Sequence, residues 1–142
     1  MQRDYFAELF VAGLFVDAGW NVYFPHRDKG FDFIVSKNVK GKEVIRAVQV
    51  KGKYPTVGKK SKPKYGYVGK LSKLHRDMIL VIPYFDSRKQ DGASLVAFMP
   101  RKTIKPHSRG YRCEPAILKN GEVHPRREYK KYFDKKGMKA FG

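Results

Sequence analysis

A single α+β domain is what this sequence predicts, and three observations predict it. One stretch of helical periodicity opens the chain, and short runs of strand character follow it, separated by Gly, Pro and Asn. The 142 residues, 42% hydrophobic and 14% aromatic, suffice for one packed core and for little beyond it. Residues 1–142 therefore read as one unit. Within it lie a compact motif over 1–53, a basic loop over 54–77, and further strands with a basic tail over 78–142.

The first element is a helix capped by Asp4 and running to Ala18, with Gly19 as its stop signal. Tyr5, Phe6, Leu9, Phe10, Leu14 and Phe15 recur along it at helical spacing. A strand follows at Asn21–Phe24 and ends at Pro25. Phe31, Phe33 and Val35 then alternate with Asp32, Ile34 and Ser36 as a second strand, and Val44–Lys51 forms a third. Lys40-Gly41 is the two-residue turn between them, which makes the three strands an antiparallel meander. Met78–Phe85 and Ser94–Met99 read as buried strands. Asn120-Gly121 marks a last hairpin between Ile117-Leu118 and Val123, and residues 126–136 a short basic helix.

Charge divides the chain. Lys and Arg number 31 against 13 Asp and Glu, a formal +18. Residues 1–50 carry seven basic and six acidic side chains, so the remaining 24 basic and seven acidic ones leave +17 for residues 51–142. Such an excess points to a polyanionic partner. Lys53, Lys59, Lys60, Lys62 and Lys64 lie in a Tyr-, Pro- and Gly-bearing loop suited to phosphate contact. Arg101, Lys102 and Arg109 extend the basic surface. With Cys113 as the sole cysteine there is no internal disulfide and no multi-thiolate zinc site, and the four histidines show no metal-ligand spacing. The absence of a long apolar run and of a signal-like start predicts a cytoplasmic, nucleoid-associated protein away from membranes.

A two-residue turn at Lys40-Gly41 fixes the hairpin register. Val39 pairs with Lys42, so Asp32 falls opposite Gln49, with Lys51 on the same face. A buried carboxylate and ammonium are costly as core. As a site for Mg²⁺ or Mn²⁺ they make chemical sense, because hard cations take carboxylate, amide and backbone oxygens. Asp32, the Gln49 amide and the Val50 carbonyl supply such oxygens, and Lys51 is placed to orient or deprotonate a water.

These residues resemble the PD-(D/E)XK nucleases, the fold shared by restriction enzymes, archaeal Holliday-junction resolvases and some homing endonucleases. The resemblance covers about residues 4–53. It rests on Glu8 in the first helix, on Gly30-Phe31-Asp32-Phe33, and on Gln49-Val50-Lys51 in the place of (D/E)-X-K. It implies a restriction-endonuclease-like core with a mixed central sheet. It also implies catalytic roles for Glu8, Asp32, Gln49 and Lys51, with Glu8 completing the metal site. Gln49 replaces an acid, as it does in some family members that look active. The expected function is metal-dependent DNA endonuclease activity, directed at a junction or a specific site, by a homodimer or higher homo-oligomer. The alternative is a non-catalytic nucleic-acid-binding protein on the same fold.

Overall fold

The computed structural model describes residues 2–26, 31–54, 76–86, 88–89, 91–108, 110–119 and 121–141. The fold is α+β, as the sequence predicts. Helix α1 (Gln2–Asp17) is followed by strands β1 (Asn21–Tyr23), β2 (Phe33–Val39), β3 (Lys42–Val50), β4 (Ile79–Tyr84) and β5 (Leu95–Pro100), which form one sheet in that order. β1, β2 and β3 pair antiparallel, β3 and β4 parallel, β4 and β5 antiparallel. The sheet is thus mixed and opens with the expected meander.

Asp4 does not precede α1, because the helix begins at Gln2, where Gln and Arg already favour it. Its C-terminus is a Schellman turn. The N–H of Gly19 donates to Val16 and that of Trp20 to Phe15, Gly19 takes φ +92°, and the Trp20 ring packs edge-on against Phe15. The helix is apolar nearly all round, and the sheet selects which side is buried. Ala7, Val11, Ala12 and Phe15 meet Phe33, Val48, Val50, Val81 and Phe98, whereas Tyr5, Phe6, Leu9 and Val16 remain exposed.

The other sheet face, built from Ala47, Leu80, Ile82, Tyr84 and Met99, is covered by the C-terminal third of the chain. There a 3-10 turn (Arg101–Thr103) leads to hairpins β6 (Lys105–His107) with β7 (Gly110–Arg112) and β8 (Ala116–Lys119) with β9 (Glu122–Pro125). The second hairpin is the one expected at Asn120-Gly121, and Gly121 takes φ +79°. The basic tail is not one helix. It divides into a 3-10 helix (Arg127–Tyr132) and the short α2 (Asp134–Lys139), because Phe133 bridges to Ala97 and the Asp134 carboxylate accepts the Val96 N–H at 3.0 Å, tying the turn to the edge of β5. Among the described residues no helix is long and apolar enough to cross a membrane.

Candidate metal centre

The hairpin that carries the candidate site closes in the expected register. Lys40 and Gly41 both take positive φ, 53° and 84°, and Val39 faces Lys42. Each later pair follows in step to Phe33 opposite Val48. The second strand, however, starts at Phe33 and not at Phe31, which leaves Asp32 just outside it. Its N–H donates to the Val48 carbonyl, and its Oδ2 accepts the Val50 N–H at 2.6 Å. The carboxylate therefore rests against the peptide unit that joins Gln49 to Val50. An extended residue carries its N–H and C=O on one side, so the Val50 carbonyl opens toward the same end of β2 as Asp32.

Gln49 turns the other way from Val48 and Val50, toward the face of Ala47 and Leu80. Only 9% of it is exposed, and its Oε1 accepts no hydrogen bond. An orphaned buried amide oxygen costs roughly 1–3 kcal/mol, which a cation or a bound water would relieve. Lys51 lies one residue past the end of β3, half-buried, its N–H donated to the Val81 carbonyl. Lys53 continues the pairing through the Pro83 carbonyl and the Phe85 N–H. Burial and the neighbouring Lys51 charge lower the Lys53 ammonium below its ordinary value, so two cations crowd the end of this strand.

Glu8 lies on α1, which packs against the opposite sheet face. It is half-buried on α1 beside Ala7, and a Cβ added at Gly52 would lie 2.9 Å from the Ala7 Cβ, so α1 crosses where β3 ends. The ring of Tyr54 stacks on Phe85 at 4.9 Å, and Phe85 in turn touches Phe6. Arg101 and Lys102 follow β5 at the level of Ile79, about 13 Å along β4 from the level of Lys51 and Lys53. They belong to a different end of the sheet. Lys59, Lys60, Lys62, Lys64 and Arg109 lie outside the described residues.

Pro83 is a feature of this region that the periodicity of β4 does not announce. In a parallel ladder the Lys51 carbonyl would take the N–H of residue 83, and proline has none. A proline inside an otherwise buried run is the signal that could have located it. Cys113 is buried, and burial pushes its thiol up to about 11, offset in part by Thr103 and reinforced by Glu114. Among the described residues no three His, Cys, Asp or Glu side chains converge as a metal-binding group, and the oxygens near β3 come from a carboxylate, an amide and backbone. No protein-family model matches the chain, and no curated protein matches it.

Proposed function

We propose that this protein is a metal-dependent DNA endonuclease of the PD-(D/E)XK type that hydrolyses phosphodiesters. The reading rests above all on the buried Gln49 Oε1 without a hydrogen-bond donor, on a residue that forms part of the peptide that the Asp32 carboxylate contacts. Asp32, the Gln49 amide and the Val50 carbonyl would hold Mg²⁺ or Mn²⁺, with Glu8 in support. When bound, the cation supplies an acidified water and offsets the charge that builds on the phosphate. Lys51 orients that water, and Lys53 and the basic loop hold the backbone. The chain acts on DNA in the cytoplasm, in the nucleoid, as a homodimer or higher homo-oligomer, since one site per chain must serve two strands.

A second reading follows from Gln49 itself. With an amide in place of an acid, the proposed ligand pair Asp32 and Gln49 carries one carboxylate, which weakens cation affinity and favours a protein that binds nucleic acid without cutting it. Purified protein incubated with duplex, four-way junction, flap and RNA, each with Mg²⁺ or EDTA, separates the two. Cleavage is expected only with Mg²⁺. Lys51→Ala should slow it roughly 10²–10⁴-fold, and Asp32→Ala should abolish it, with DNA affinity changed only a few-fold. Intact substrates under every condition, with EDTA-insensitive binding, establish the second reading instead.

A further inference from the structure

On the side of the molecule where α1 ends, a groove of about 680 Å³ runs between α1, Trp20, β5 and α2. Its floor is apolar, from Phe10, Leu14, Trp20, Phe98 and Met138. That volume lies within the range of small-molecule sites, which pair an apolar wall with a few polar groups. The polar groups here are mainly cationic. Lys89, Lys135 and Lys139 stand exposed on its rim. Lys37 is engaged, its Nζ donating to the Ala18 carbonyl and lying 5.7 Å from the centre of the Trp20 ring. Of the two acids that line the groove, Asp134 is committed to the Val96 N–H, and Asp17 lies on the last turn of α1. The indole N–H of Trp20, on a side chain only 3% exposed, has no acceptor.

We propose that this groove binds a small amphipathic anion, an apolar body that ends in a carboxylate or phosphate. The body covers Leu14, Phe98 and Met138, and the anionic end meets Lys135 and Lys139, where a charge-assisted contact is stronger than a neutral one. A neutral hydrocarbon would leave the lysine rim unused. Duplex DNA offers no apolar body for the floor. The site lies apart from Asp32 and Gln49, so it stands whether or not the chain cuts DNA.

Trp20 is the only tryptophan and lines the groove, so its emission reports occupancy directly. The full chain is titrated with decanoate below its micelle concentration, and in parallel with decyl phosphate, decanol and decyltrimethylammonium. Decanoate and decyl phosphate are expected to give a saturable 1:1 change, with decanol and the cation at least about tenfold weaker, the factor that ~1.4 kcal/mol represents. Lys135→Glu with Lys139→Glu should weaken decanoate by a similar factor, and the same reversals at the remote Lys105 and Lys119 should leave it unchanged. The proposal is overturned by a non-saturating response, by equal binding of decanol, or by equal losses in both double variants. Circular dichroism of each variant confirms that it is folded.

Discussion

Asp86 has a side chain with no exposed surface, and burial alone would push its carboxyl upward. The opposing contacts win. Arg88 donates from Nη2 at 2.6 Å and from Nε and its backbone N–H at 3.0 Å each, and the Val123 N–H adds a fourth contact at 3.1 Å. The folded carboxyl is held below its ordinary value of 3.8, so the stability it contributes is complete above that value and is lost as pH falls through the lower folded one. Asp86→Asn should therefore cost about 1.5–3 kcal/mol near neutral pH, and the gap to wild type should narrow as the solution is acidified below about pH 4. Thermal melts across that range check this; a gap that widens on acidification contradicts it. The Asp86–Val123 contact spans 37 residues and leaves no trace in sequence spacing. The approach of Asp32 to residues 49 and 50 was legible, because a local turn sets it. That the carboxylate would bond the Val50 N–H was not, because this depends on β2 starting two residues later than its alternation suggests.

At the scale of elements, the β2–β3 turn illustrates how a local rule and its cost coexist. Lys40 sits at φ 53°, a left-handed conformation that Asn adopts more readily than Lys, while Asn38 Oδ1 already takes the Gly41 N–H at 3.0 Å. Lys40→Asn should raise stability by roughly 0.5–1 kcal/mol, and a lower melting temperature would show that the turn is held by something other than its intrinsic preference. The C-terminal elements obey no such local rule. Asp134 takes φ 58° because its carboxylate serves the edge of β5, and a Cβ at Gly137 would overlap the Tyr132 carbonyl. A run of Lys and Arg says nothing of that docking, which is why residues 126–136 read as a single helix. The buried side of α1 was hidden for a similar reason, since a helix apolar on most sides gives periodicity without direction.

Across the whole molecule, the layers follow from where each kind of residue is concentrated. The strands of the sheet bury both faces, one against α1 and one against the C-terminal hairpins, and β3 ends at the boundary between these layers. Asp32, Gln49, Lys51 and Lys53 all lie at that end, in a chain whose residues 51–142 carry +17. A strongly basic half favours polyanions, and in the proposed reading the oxygens at the strand end would hold a cation that a phosphate shares. Fold class, meander and turn were readable from pattern, because each rests on contacts close in sequence. Paramagnetic resonance of Mn²⁺ with the full chain on a short DNA duplex tests most directly whether this strand end grips a hard cation. The wild-type complex should hold Mn²⁺ beyond what the duplex alone takes up, Asp32→Asn and Gln49→Leu should release it, and Gln49→Glu should tighten it. Equal Mn²⁺ uptake by the wild type and by all three variants would contradict a metal centre at this place.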